Sequence, residues 1–289
     1  MQDYIRKPEW LRTKIGVSRC GKVGRTLNEH GLNTVCEQAD CPNQGECFRA
    51  GTATFMLLGQ HCTRNCTFCK VTFAPPQPVD PNEPQEVALA IQEMGIQHAV
   101  ITSVTRDDLP DGGAAHFAAC VRAIREISPE VTVEVLIPDF QGDLDALCTV
   151  LAARPDILNH NVETVPALYA QVRPQADFER SLELLRRVKQ YASGIYSKSG
   201  FMLGLGETPQ QVSALLARLH EVGCDIVTMG QYLRPSIQHY PVQEYVHPDQ
   251  FAAYKEEALA LGIPCCVSGP LVRSSYHAKQ DFDRLKGKA

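Results

Sequence analysis

No apolar run in this 289-residue chain comes near the length of a membrane span; "FMLLG" at residues 55–59 is among the longest. The N-terminal stretch "MQDYIRKPEWLR" has no apolar signal core, so the expectation is a cytoplasmic protein with no membrane partner. A surplus of positive charge is missing as well. Lys and Arg number 28 against 33 Asp and Glu, a net charge of -5, and without a basic field or a polybasic stretch there is little to hold nucleic acid. A glycine-rich phosphate fingerprint is also absent after the first apolar run, where a flat doubly wound sheet would carry one. Cysteine, in contrast, is plentiful. Six of the twelve lie between residues 36 and 69, and in a reducing compartment such a cluster reads as metal-binding or catalytic, not as disulfides.

From residue 50 onward, short apolar runs alternate with amphipathic stretches, the pattern of repeated β/α units. Six strands are expected, at Ala53–Gly59, His98–Val104, Val131–Ile137, Asp156–Asn161, Ser199–Leu205 and Asp225–Gln231, and Ile263–Ser268 is a further candidate. The clearest helix is "TPQQVSALLARLHEVG". Thr208 caps it, Pro209 takes the first helical position, Gln211 completes a capping box, and Val212, Leu215, Leu216, Leu219 and Val222 form one apolar face. The fold class is therefore α/β, a partial (β/α)6 barrel of TIM type whose strand C-termini form the working face. The expected division is an N-terminal extension at 1–50, the barrel at 51–262 and a C-terminal segment at 263–289.

Directly after the first strand comes "HCTRNCTFCK", with Cys62, Cys66 and Cys69 at the barrel mouth. Structural zinc is the ordinary alternative, but it closes with four ligands, commonly two C-x2-C pairs, and no fourth is near. Three thiolates suit an iron–sulfur cube that keeps one iron free of protein. Phe68 inside the loop packs locally, covers the cluster, or does both. Asp107 and Asp108 after the second strand, Asn161 and Glu163 after the fourth, and Arg173 in "VRPQ" are candidates for binding a cofactor, with loop capping as the alternative for each.

The C-x3-C-x2-C spacing resembles the radical S-adenosylmethionine superfamily. The resemblance implies a 4Fe-4S cluster whose free iron is chelated by S-adenosylmethionine, and cleavage of that cofactor to a 5'-deoxyadenosyl radical. It casts Asn161, Glu163, Arg173 and Asp107 as candidate S-adenosylmethionine contacts. The second trio, Cys36, Cys41 and Cys47 in "CEQADCPNQGEC", has C-x4-C-x5-C spacing in an irregular stretch. Zinc or stray thiols are its alternatives. Paired with the downstream loop, it closely resembles the lipoyl synthase family, as do "KPEWLR", "FMLLG", "ITSVTRDDLPDGG", "NHNVETV", "MLGLGE" and "VSGPLVRSSYHA" along nearly the whole chain.

That likeness implies a second, sacrificial 4Fe-4S cluster on Cys36, Cys41, Cys47 and a serine of "RSSY", assigned to Ser274, with Ser275 as a helix cap. It implies insertion of two sulfur atoms at C6 and C8 of a protein-bound octanoyl chain. The implied partners are octanoylated lipoyl carrier domains of 2-oxo acid dehydrogenase complexes or the glycine cleavage carrier protein, a reductant such as ferredoxin or flavodoxin, and an iron–sulfur cluster carrier. The rivals are a methylthiotransferase, a biotin-synthase-like sulfur inserter, or a non-enzymatic iron–sulfur redox sensor. Of the other cysteines, Cys120, Cys148 and Cys224 read as core, Cys265 and Cys266 point to opposite faces of a strand, and Cys20 is unassigned. Residues 1–25 carry seven Lys and Arg, Lys14 and Lys22 among them, against Asp3 and Glu9. Either this is a solvated terminus or it steers an acidic carrier domain.

Overall fold

The computed structural model describes residues 6–11, 22–38, 41, 43, 46–47, 54–276 and 278–287. Before the sheet come a short 3-10 turn, Glu9–Leu11, and helices α1 (Lys22–Glu29) and α2 (Val35–Gln38). The chain then runs β1 (Thr54–Leu57), β2 (His61–Cys62), β3 (Thr72–Phe73), α3 (Glu83–Met94), β4 (His98–Ser103), α4 (Ala114–Ile127), β5 (Thr132–Leu136) and α5 (Leu144–Ala152). The second half is β6 (Ile157–Asn159), α6 (Tyr169–Val172), α7 (Phe178–Tyr191), β7 (Tyr196–Leu203), α8 (Pro209–Glu221), β8 (Ile226–Gln231), α9 (Pro248–Ala260), β9 (Cys265–Ser268) and α10 (Ala278–Lys286).

Seven strands pair in the order β1-β4-β5-β6-β7-β8-β9, every pair parallel, with β2 and β3 as a separate small ladder. The two edge strands are not paired with each other, so this is an open, partial barrel. The candidate run at Ile263–Ser268 supplies the seventh strand. One expected strand is displaced: β7 starts at Tyr196, three residues before Ser199, and its first turn of sheet is polar. The reason lies in the lumen. Lys198 reaches the buried Glu134 at 2.8 and 3.1 Å, while His98 and Asn159 approach the same carboxylate at 3.3 and 3.1 Å. A charged barrel floor breaks the apolar pattern from which a strand is read. Phe282 of α10 closes that floor, edge-on to His98 and Tyr196 with ring centroids 6.2 and 5.3 Å apart.

The helices form for the reasons their sequences state. Thr208 and Gln211 make the reciprocal capping box, and Val212, Leu215, Leu216 and Leu219 are buried against β7 and β8 neighbours. Each such buried Val or Leu side chain contributes about 2 kcal/mol. The N-terminal extension docks on the free edge of β1. Thr34 bridges Phe55 in the antiparallel sense and Met56 N donates to Asn33 O at 2.9 Å. His30 joins it to α3 through Glu86 at 2.6 Å. Among the described residues no helix is long and apolar enough to cross a membrane.

Candidate active site

β1 ends in a sharp turn. Leu58 and Gly59 both have positive φ, 67° and 91°, and Leu58 N donates to Glu83 Oε2 at 2.9 Å. A branched side chain in this region is strained and persists only where its surroundings hold it. The turn throws the loop 60–70 across the C-terminal mouth of the barrel. Three sets of bonds pin it there. Thr67 N donates to Val172 O at 3.1 Å and its hydroxyl to Gln171 O at 2.8 Å. On the far side Tyr240 N donates to Thr67 O at 2.8 Å, and His239 Nε2 lies 3.1 Å from Cys69 O. Arg64, between two of the cysteines, is buried and donates to both oxygens of Asp107, at 2.6 and 2.9 Å, and to Asp139 at 2.6 Å. Phe68 packs with Val172, Leu205 and Tyr232.

The three thiols share one field. Cys62 Sγ accepts backbone N–H bonds from Arg64 at 3.4 Å and Thr105 at 3.3 Å. Burial pushes Cys69 up to about 12, with Cys66, Cys62 and Glu163 adding to it. Burial also raises Cys66, and Arg173 opposes that rise.

Asn161, Glu163 and Arg173 come together beside these thiols. The ladder between β6 and β7 takes in one residue too many: His160 N donates to Lys198 O, but it is Glu163 N, not that of residue 162, that donates to Gly200 O at 2.9 Å. Such a bulge re-aims side chains, and Glu163 absorbs it with φ of 63°. Asn161 Nδ2 donates to Glu163 Oε1 at 3.1 Å, and Arg173 Nη1 donates to Asn161 O at 3.0 Å. The Nε of Arg173 is buried without a partner among the described residues, a donor left over for a ligand. Asp107 is a different case. With both oxygens on Arg64 it braces the cysteine loop, and Asp108 is likewise paired with Arg106, at 2.9 Å for each oxygen.

Upstream, α2 sets Cys36 in the core, Cys41 N donates to Cys36 O at 3.0 Å, and Cys47 N donates to Asn43 O at 2.9 Å. Burial lifts Cys36 to about 11 and Cys47 to about 12, and Cys41 raises both. The C-terminal segment meets this loop. Asn43 Nδ2 donates to Leu271 O at 2.8 Å, and Tyr276 hydroxyl lies 3.3 Å from a Glu46 oxygen.

The two serines of "RSSY" part company here. Ser274 Oγ faces the lumen, accepting from Asn161 Nδ2 at 2.9 Å. Ser275 Oγ accepts from Thr54 Oγ1 at 2.8 Å, and Thr54 in turn lies beside Cys36, where it opposes the rise of that thiol. The two serines are the central residues of a turn closed by Tyr276 N donating to Arg273 O at 3.0 Å, and the turn sends their side chains to different partners.

Cys120 and Cys224 are buried in helix–sheet packing, with burial raising both thiols. Cys265 packs towards Phe282 and Cys266 into the helical layer, on opposite faces. Cys20, Lys14 and the side chain of Lys22 lie outside the described residues. Sequence reasoning gave no role to Arg64, Asp139 or Glu207. Glu207 accepts from Gly204 N at 2.6 Å and Leu205 N at 2.9 Å, fixing the loop after β7; "MLGLGE" was visible as a motif, but its partners are its own backbone.

Among the described residues no three His, Cys, Asp or Glu side chains converge tightly enough for a single metal ion, yet Cys36 and Cys47 are each raised by neighbouring thiols of their own trio, as are Cys66 and Cys69 of theirs. Burial makes Cys36, Cys47, Cys66 and Cys69 costly to ionise alone, and iron bound to the thiolates would relieve that cost. A radical SAM superfamily model matches residues 56–228. The chain is 56% identical over 282 residues to the lipoyl synthase of Nitratidesulfovibrio vulgaris (strain DP4), covering 97% of this chain and 94% of that one. It is 52% identical over 283 residues to the lipoyl synthase of Caldanaerobacter subterraneus subsp. tengcongensis, covering 98% and 99%. Among solved structures, methylornithine synthase shares the fold, with a TM-score of 0.53 at 13% identity over 80% of each chain.

Proposed function

Because this chain belongs to the radical SAM superfamily and, within it, to the lipoyl synthase family, we propose that it inserts two sulfur atoms at C6 and C8 of a protein-bound octanoyl chain. The observation that carries this reading is the presence of two cysteine trios on one barrel chain, one on the loop after β1 beside Asn161, Glu163 and Arg173 and one on the upstream loop that the C-terminal segment meets. Cys62, Cys66 and Cys69 are the ligands of a 4Fe-4S cluster that S-adenosylmethionine completes. Cys36, Cys41 and Cys47 hold the second 4Fe-4S cluster, and the contact through Thr54 favours Ser275 over Ser274 as its fourth ligand. An oxygen at one iron, where thiolate is the rule, makes a corner that lets go more readily.

When bound, the first cluster and S-adenosylmethionine supply a 5'-deoxyadenosyl radical, and the second cluster supplies sulfur. The chain's own part is positioning and dryness. Arg64, clamped between Asp107 and Asp139, fixes the loop that carries the three thiolates. Arg173 carries a free Nε donor and positive charge for the cofactor's carboxylate, while Asn161 and Glu163 supply polar groups for its ribose or amino end. Phe68 and its apolar neighbours keep water from that side of the loop. The substrate is an octanoylated lipoyl carrier domain of a 2-oxo acid dehydrogenase complex or of the glycine cleavage system. A ferredoxin or flavodoxin supplies electrons, and an iron–sulfur carrier rebuilds the spent cluster, all in the cytoplasm.

Anaerobic reconstitution with iron and sulfide counting tests the reading. Each trio replaced by alanines should leave half the iron. The upstream variant should still cleave S-adenosylmethionine without forming lipoyl product, and the downstream variant should do neither. Loss of all iron from either variant refutes two independent clusters.

A further inference from the structure

The inner faces of β7 and β8 each contain a glycine whose absent side chain makes room for the C-terminal segment. A Cβ on Gly230 would stand 2.2 Å from Val272 O; one on Gly200 would stand 2.4 Å from Thr228 Oγ1, 2.9 Å from Asn161 Oδ1 and 3.3 Å from Ser274 Oγ. Neither glycine has a positive φ, so space rather than backbone conformation is what a side chain here would cost. The segment Leu271–Tyr276 lies in this track as a strap, and its residues divide between two sites. Leu271 and Tyr276 bond to Asn43 and Glu46 of the upstream cysteine loop, and Ser275 to Thr54 at the start of β1, beside Cys36. Ser274 alone bonds the other way, to Asn161. Asn161 in turn holds Glu163 through its amide and Arg173 through its carbonyl.

We propose that Ser274 is a positioning residue that couples the two cysteine sites: while the strap is docked on the upstream loop, Ser274 holds Asn161, and with it Glu163 and Arg173, in the arrangement that binds S-adenosylmethionine. When the upstream site is dismantled the strap loses its anchors there, Asn161 is released, and the cofactor binds more weakly. The consequence is economy of cofactor, since an enzyme whose sulfur source is spent cleaves less of it. Coupling of this kind is reciprocal, so cofactor binding also tightens the strap. The two states of the element are strap docked and strap free. The proposal rests on reading Asn161, Glu163 and Arg173 as cofactor contacts.

Two measurements test it on the full chain, one of them independent of turnover. Hydrogen exchange followed by mass spectrometry reads protection in peptides spanning 157–165, with S-adenosylmethionine absent. Equilibrium dialysis of S-adenosylmethionine on the anaerobically reconstituted protein reads Kd. Ser274→Ala should raise exchange in 157–165 and weaken Kd about three- to tenfold, the value of one hydrogen bond, and Ser274→Thr should restore both. Gly230→Ala, which displaces Val272 without touching Ser274, should reproduce the Ser274→Ala result. The alanine variant of Cys36, Cys41 and Cys47 should show the same two changes, and adding Ser274→Ala to it should bring no more. Independent, additive effects of the two changes overturn the coupling, as does unchanged exchange in Ser274→Ala. If Asn161→Ala leaves Kd unaltered while Ser274→Ala still raises exchange in 157–165, the coupling stands and the assignment of the cofactor contacts fails.

Discussion

His160 lies beside Asn161 at the end of β6, and its protonation should cost the fold about 3 kcal/mol. Its Nδ1 is 2.9 Å from Ile137 O and therefore carries the proton; its Nε2 is 3.0 Å from Ser181 Oγ. A second proton would still find a partner, because Ser181 can turn its hydroxyl to Asp177 O at 3.0 Å. What opposes protonation is burial first and then the positive charge of Arg173, which together push the ring down to about 4 from 6.5. A group that is harder to protonate when folded stabilises fully above its unfolded value, and the unfolded chain gains as pH falls towards the folded one. At about 1.4 kcal/mol for each pH unit, the loss between pH 6.5 and 4 is about 3 kcal/mol. Glu134 and Asp139, both held at about 2 against burial by Lys198 and Arg64 respectively, stay charged in the folded chain but take up protons in the unfolded one as pH nears 4, so they steepen both curves alike and cancel in the difference between the two proteins. The measurement is urea unfolding of the metal-free protein and of His160→Gln from pH 7 to 4. The stability gap between them should shrink by about 3 kcal/mol as pH falls, and parallel curves refute the argument.

Two further outcomes follow from the charges described above. Lys198→Met should destabilise by about 3–5 kcal/mol in urea unfolding because it strands the Glu134 carboxylate, and Lys198→Met with Glu134→Gln should recover most of that; a single variant as stable as the parent disproves the buried pair's role. Arg64→Gln should lose the iron of the downstream trio on reconstitution while keeping that of the upstream trio, and full iron in this variant removes Arg64 as the brace of the loop.

Local pattern was enough to read much of this protein. The capping box at Thr208 and Gln211 and the apolar face of α8 depend on residues within one helix, and they stand as read. The parallel α/β architecture follows in the same way from alternating apolar runs, and the two cysteine trios from spacing alone. Tertiary structure decided what depends on residues far apart in the chain. The start of β7 escaped the pattern because its polar residues face a charged floor built with Glu134 and His98 from β5 and β4. That Asp107 pairs with Arg64, 43 residues away, and so braces the cysteine loop, is also a tertiary fact. The two serines of "RSSY" are the plainest instance. One residue apart, they are equivalent to any sequence rule, and only the turn from Arg273 to Tyr276, in a strap lying against Gly230 on one side and the upstream loop on the other, brings Ser275 to Thr54 and Ser274 to Asn161, 113 residues away.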